Sequence, residues 1–387
     1  MSPTLLDRVR AHVREIDPYK PGKPIEEVER ELGLRAVKLA SNENPLGPSP
    51  LAIEAARAAL GEAHRYPDGG GYALRQKIAA RLGVHRDEII LGDGTSEVID
   101  LAARALLTPE DEGLSCAGSF PLYYIAIRAS GARIVTAPLK DYVFDLDALA
   151  AAVTPRTRVI YISNPNNPTG TWFSADVLEK FLARVPEDVL IVLDEAYCDY
   201  VAEPGYSRSL EQRREHSNLL VLRTFSKIYG LAGLRIGYGI GLPGLLNEMN
   251  KLRTPFNTSG VAQAAALAAL DDAGHVRRSV ESNRAGLAQL TDGMRKLGLR
   301  CVPSVTNFIF VELDSDAAPV AQSLLERGVI VRPLAWMGFP RAIRVSIGTP
   351  EENDKFLNAI QQVLAPSAGQ KTAGQQTLGQ PAAGKRK

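Results

Sequence analysis

The chain has 387 residues, 45% hydrophobic and 23% charged, and its 45 basic and 44 acidic side chains leave a formal net charge of +1. That length can bury more than one core, while the near-neutral balance excludes a nucleic-acid or polyanion binder that depends on clustered basic residues. The three cysteines, Cys116, Cys198 and Cys301, form no CxxC pair and no histidine stands in metal-ligand spacing, which excludes a disulfide framework and points to a reducing, cytoplasmic compartment.

The first stretch, MSPTLLDRVRAHVREI, sets Leu5, Val9, Val13 and Ile16 near helical spacing among charges. It reads as an amphipathic arm, over residues 1–40, that packs on a small domain or a partner subunit; it is neither a signal peptide nor a membrane span. From Ser49, a capping residue followed by Pro50, helical periods alternate with short apolar runs. The runs RVIYIS (158–163), DVLIVLD (188–194) and NLLVLR (218–223) are nearly continuous, as strands covered on both faces must be. Residues 41–255 are therefore expected to form a large α/β domain with a mainly parallel sheet flanked by helices. A charged helix over about 276–297, NFIFVEL, a helix APVAQSLLERG, VIVRPL and AIRVSIGT then predict a smaller α+β domain over 256–365. Residues 366–387 are Gly, Gln, Ala and Lys with little to bury and are expected to be disordered.

Several polar residues fall at the carboxyl ends of the apolar runs, where open α/β sheets bind ligands. Asp194 ends a buried run and needs a cationic or hydrogen-bonding partner; alone it reads equally as a cap or an internal ion pair. In ILGDGTSEVIDLAARAL, Gly92 and Gly94 lead into a helix starting near Thr95 or Ser96, whose free N–H groups suit a phosphate. Glu97 stands where a dinucleotide fingerprint has its third glycine, so a Rossmann dehydrogenase is disfavoured. The turn NPNNPTG, 164–170, presents the Asn167 amide at the same edge, and RTFSKIYGLAGLRIG presents Lys227. A phosphate-binding helix start, an asparagine, a buried aspartate and a lysine are the set pyridoxal phosphate uses: an amine for its aldehyde, N–H donors for its phosphate, a carboxylate for its ring nitrogen.

The motifs KLASNENPLGPS, YPDGGGYALR, GDGTSEVI, NPNNPTG, DEAY, RTFSKIYGLAGLRIG and IRVSIGT run in order from residue 38 to 349. With them the chain resembles the fold type I pyridoxal-phosphate aminotransferases, and through SNENPLGPS the histidinol-phosphate aminotransferase branch. The resemblance implies pyridoxal 5′-phosphate as cofactor, with Lys227 joined to it and acting as proton shuttle. It implies that Asn167 and Tyr197 hold the ring 3′ oxygen, and that Tyr123 stacks on the ring, although the adjacent Tyr124 is equally available. Thr95, Ser96, Thr224, Ser226 and Arg235 would hold the phosphate, joined by Tyr66 from the second subunit of a homodimer. The five histidines, His12, His64, His85, His216 and His275, read as solvated or capping residues.

In AIRVSIG, Ile343, Val345 and Ile347 alternate with Arg344, so the apolar set can pack inward while Arg344 faces the cleft and meets a carboxylate or phosphate. Arg332, Tyr19 and Asn42 are further substrate-side residues by resemblance. The implied reaction converts L-histidinol phosphate and 2-oxoglutarate to imidazole-acetol phosphate and L-glutamate. An aromatic amino-acid aminotransferase and a threonine-phosphate decarboxylase are alternatives on the same scaffold. A cofactor-binding transcription regulator is a third, but the forty or so residues before SNENPLG hold no DNA-binding unit.

Overall fold

A computed structural model describes residues 4–365; the 366–387 tail lies outside the described residues. A seven-stranded sheet forms the larger layer. Its strands lie in the order Arg133–Ala137, Glu112–Cys116, Thr157–Ser163, Leu190–Asp194, Leu219–Thr224, Gly237–Ile240 and Ile89–Gly92. The first five run parallel, and Gly237–Ile240 is antiparallel to both its neighbours.

Period-two alternation divides each central strand between two cores. Ile160, Ile162, Ile191, Leu193, Leu219 and Val221 join one buried cluster, while Val159, Tyr161, Leu190, Val192, Leu220 and Leu222 join the cluster on the opposite face. With both faces covered by apolar packing, polar side chains can reach a cavity only from the strand ends.

The smaller layer is an antiparallel sheet ordered Cys301–Val302, Phe308–Glu312, Phe339–Ser346 and Arg332–Leu334. One face packs Ile309, Val311, Ile343 and Val345 with Leu290, Leu324, Phe356 and Ile360 from the helices Ala273–Lys296, Ala317–Leu325 and Pro350–Leu364. Residues 37–38 pair in parallel with 329–330, and the Leu39 carbonyl accepts the Ser346 N–H. No helix among the described residues is long and apolar enough to cross a membrane.

The amphipathic N-terminal helix is not formed as one piece. Leu5–Arg8 is a short 3-10 turn and Ala11–Arg14 a single helical turn, separated by extended backbone at Val9 and Arg10. Leu5 is 85% exposed and Val9 and Val13 are also exposed, so the spaced apolar residues bury little within this chain, and a helix this short does not hold by propensity alone.

The loop after Lys227 depends on one glycine. Gly230 has φ +69°, and a Cβ there would stand 2.2 Å from the Gly47 carbonyl oxygen. Gly230→Ala is therefore expected to lose at least about 1–2 kcal/mol of stability from the left-handed backbone alone. Urea unfolding checks it; an unchanged midpoint would contradict the close approach.

Candidate active site

The parallel register sets the site. Ser163 pairs with Asp194 and Asp194 with Leu222 on adjacent strands, so the NPNNPTG turn, Asp194 and the Thr224–Lys227 segment leave the sheet side by side. They border a cavity of about 240 Å³. The helix Gly94–Leu106 points its first turn at the same cavity through Thr95 and Ser96. Gly94 has φ +66°, and the Arg235 guanidinium occupies the space a Cβ would take there, with Nη2 at 2.3 Å from that position.

The opposite wall comes from the small sheet and the segment before the large layer. Arg344 donates through Nη1 to Asn167 Oδ1 and through Nη2 to the Ala40 carbonyl at 2.7 Å, while its Nε is buried without a partner. Asn42, at φ +55°, donates to the Tyr197 hydroxyl at 2.9 Å and is fastened to Ser346 through its own N–H at 2.8 Å. Lys227 Nζ has one hydrogen bond, to the Ser41 carbonyl at 3.3 Å, and lies 5.6 Å from the Tyr197 ring centre.

Burial dominates the ionisation of these groups. It pushes the Asp194 carboxyl up to about 6, against the hydrogen bonds from Tyr123 and the Ala196 N–H that favour the carboxylate. It lowers the Lys227 amine to about 8, with the positive charge of Arg344 adding to the effect. Arg344 itself falls to about 10, again by burial, and Tyr197 rises to about 12 for the same reason. The cavity thus holds an amine near its titration point beside a carboxylate lacking a full counter-charge.

Most sequence-derived residues border this cavity: Tyr19, Asn42, Thr95, Ser96, Asn167, Asp194, Tyr197, Thr224, Ser226, Lys227, Arg235 and Arg344. Tyr123 does not, which corrects the expectation that its ring faces the ligand. It is wholly buried, stacked 5.2 Å from Tyr161, and its hydroxyl donates to Asp194 Oδ2 at 2.8 Å. Tyr124 turns away to the Cys116 carbonyl. The aromatic wall is Phe120, which the sequence reading missed. Helical phase held the signal: in Leu122–Ala129 the buried set is Tyr123, Ala126 and Ile127, an i, i+3, i+4 stripe that faces the core.

Four other residues sit apart from expectation. Arg235 borders the cavity, but its side chain is 45% exposed although its chain neighbours are apolar or small. Arg332 is buried behind the wall, its guanidinium 5.4 Å from the Tyr19 ring and 4.9 Å from Trp336. Tyr66 lies away from this cavity, 83% exposed and stacked on Phe256 at 4.5 Å. His275 is buried beside Ser279 rather than solvated, with its N–H capped by Asp272. Glu179, Glu215 and His216 cluster elsewhere, and Glu179 is already held by Gln212 and His216.

The model of the aminotransferase class I and II family matches residues 35–360. The chain belongs to that family. Among aminotransferases it is 51% identical to histidinol-phosphate aminotransferase 1 of Nitrosococcus oceani over 92% of this chain and 96% of the relative. It is 50% identical to histidinol-phosphate aminotransferase 2 of Pseudomonas aeruginosa, over 91% and 96%. The structure of the Sinorhizobium meliloti histidinol-phosphate aminotransferase in complex with pyridoxal-5′-phosphate is similar at TM-score 0.84 and 30% identity, covering 92% of this chain and 97% of that one.

The Lys227 shift makes a prediction for the cofactor-free aminotransferase. Its folded value, about 8, lies below the ordinary 10.5. Its contribution to stability is therefore present above pH 10.5 and is lost as pH falls through 8. Lys227→Met, which removes this titration, is expected to gain stability over wild type at pH 7 and to lose that advantage as the pH rises from 8 towards 10.5. Urea unfolding of both proteins across that window reads it; a constant difference would contradict the buried amine.

Proposed function

We propose that this aminotransferase is a histidinol-phosphate transaminase, interconverting L-histidinol phosphate and 2-oxoglutarate with imidazole-acetol phosphate and L-glutamate through pyridoxal 5′-phosphate. The observation that carries the reading is one cavity bordered by the Lys227 amine, the Asp194 carboxylate and the Arg344 guanidinium. The names of the relatives at about half identity favour the same substrate.

The residues fit the cofactor. Asp194 lacks a full counter-charge, Lys227 has a single weak hydrogen bond, and a helix start faces Arg235 across a glycine that leaves room for it. When bound, pyridoxal phosphate supplies an aldehyde for amines and a ring that accepts electrons from the substrate carbon. Asp194 would hold a proton on the pyridine nitrogen, and that positive charge would give the buried carboxylate the partner it lacks. Asn167 and Tyr197 would hold the ring oxygen, and Phe120 would cover a ring face in place of Tyr123. The first turn at Thr95 and Ser96, with Thr224, Ser226 and Arg235, would hold the phosphate.

With the cofactor bound, Lys227 Nζ would take the proton from the nitrogen-bearing carbon of the amino donor and, in the second half-reaction, deliver one to the corresponding carbon of the acceptor. An amine lowered to about 8 keeps a minority in the neutral form at physiological pH, far more than an ordinary lysine does, and that form can serve as the base. Arg344, pinned by Asn167 and Ala40, presents its remaining edge to the phosphate of histidinol phosphate in one half-reaction and to a carboxylate of glutamate in the other. Tyr19 and Asn42 complete the substrate side, and Arg332 supports the Tyr19 ring from behind the wall.

The chain is organised as a large domain over 41–255, a small domain over 256–365 and an arm over 1–40, and it works as a cytoplasmic homodimer. An exposed Tyr66, stacked on the 44% exposed Phe256, supports a surface that a second subunit covers. From there Tyr66 reaches the partner's cofactor phosphate.

Two outcomes are expected. Turnover with histidinol phosphate should exceed that with phenylalanine when 2-oxoglutarate is the acceptor; equal or better phenylalanine turnover would favour an aromatic aminotransferase. Lys227→Ala and Tyr66→Ala should each be impaired, Lys227→Ala completely. Unfolded and refolded together in equal amounts, they should recover about a quarter of wild-type activity, since half the dimers carry one intact site. No recovery would contradict a Tyr66 that acts across subunits.

A further inference from the structure

The hairpin that pairs Leu139–Lys140 with Val143–Phe144 turns through Asp141 and Tyr142, whose φ angles are +49° and +67°. Glycine, asparagine and aspartate suit such a two-residue turn; a tyrosine held there is strained. Strain of this kind persists where surrounding contacts enforce it. Here the contacts join the two layers of the fold.

Towards the small sheet, the Tyr142 ring lies 5.2 Å from Phe310 and 6.1 Å from Phe339. Its hydroxyl donates to Glu312, and the Arg300 guanidinium sits 5.8 Å from its ring centre. Phe310 stands directly opposite Arg344 in the ladder, so the two side chains share one face of the sheet. Tyr142 therefore presses on the sheet one cross-strand position from Arg344.

Towards the large layer, the Tyr142 carbonyl accepts from the Thr171 hydroxyl at 2.7 Å. Having spent its proton, that hydroxyl accepts from Thr169 at 2.8 Å, and Thr169 accepts from Asn166 Nδ2 at 2.9 Å. All three side chains are buried. The next residue, Asn167, receives the Arg344 guanidinium. The path from Tyr142 thus closes on Arg344 from both sides.

We propose that Tyr142 is a positioning residue: it locks the small sheet onto the NPNNPTG turn and thereby fixes Arg344 for the anionic group of the substrate. The proposal rests on the reading that Arg344 binds that anion. It places the determinant of substrate affinity in a strained turn that touches neither substrate nor cofactor.

The test compares Tyr142→Ala, Tyr142→Phe, Tyr142→Gly and Thr171→Val with wild-type holoenzyme. Tyr142→Ala is expected to raise KM for both substrates, and the Kd for 2-oxoglutarate read by calorimetry, about tenfold with kcat within about twofold. The absorbance of the bound cofactor and its pH titration should not move. Tyr142→Phe keeps the ring and should stay within about threefold of wild type, and Thr171→Val should raise KM with the tyrosine in place. Tyr142→Gly relieves the turn but lacks the ring, so it should match Tyr142→Ala in KM even where its unfolding temperature is higher. Unchanged KM and Kd in Tyr142→Ala, or recovery of KM in Tyr142→Gly along with stability, would overturn the proposal. Failure of the wild type to use histidinol phosphate would instead count against the substrate assignment, and the Kd comparison would still decide the role of Tyr142.

Discussion

Adjacent parallel strands that are covered on both faces can expose chemistry at one place only, the edge where they end together. In this aminotransferase the edge is set by main-chain pairing: Ser163 opposite Asp194, and Asp194 opposite Leu222. The apolar runs behind those residues fix the register, because a slip of one residue would turn each strand's two buried sets to the wrong cores. An amine, a carboxylate and a guanidinium are thereby held at one cavity, each desolvated by the packing around it. The cavity lowers Lys227 and raises Asp194, both towards neutrality, by the same desolvation. A cofactor with a protonatable ring nitrogen and an aldehyde relieves both conditions.

The second wall belongs to another sheet, so the site depends on how two layers are joined. Arg344 is bonded to Asn167 of the large layer and to the Ala40 carbonyl, and Asn42 connects Tyr197 to Ser346. Val305 also donates to the Gly170 carbonyl at 3.0 Å, at the far end of the same turn. The NPNNPTG segment is therefore more than the carrier of one amide: it is the surface on which the small sheet rests. On the proposed role of Arg344, substrate affinity and layer contact are coupled through the same few hydrogen bonds, and that coupling is what the proposal for Tyr142 rests on.

The parallel strands could be read from the sequence because runs such as DVLIVLD have no polar face to hide and end in polar residues. Lys227, Asp194 and Asn167 were readable for the same reason, since their importance lies in position along a strand. What escaped were features set by rotation or by tertiary contact. Tyr123 and Phe120 are three residues apart, and only the phase of the short helix after Pro121 decides which one meets the cavity. Tyr142 carried no signal, because its left-handed backbone is imposed by partners far away in the chain, among them Phe310 and Glu312. The N-terminal arm had helical spacing but no surface to bury its apolar side, so spacing alone overstated its order.

The central claim is that the buried amine at the end of the Leu219–Thr224 strand is the residue that carries the cofactor. Its most direct test is reduction of pyridoxal-phosphate-loaded protein with borohydride, followed by proteolysis and mass mapping of the modified peptide. The account predicts a single stoichiometric pyridoxyl adduct on Lys227, in the peptide containing Thr224 and Ser226. A principal adduct on any other lysine, or a stoichiometric adduct that survives in Lys227→Ala, would contradict it.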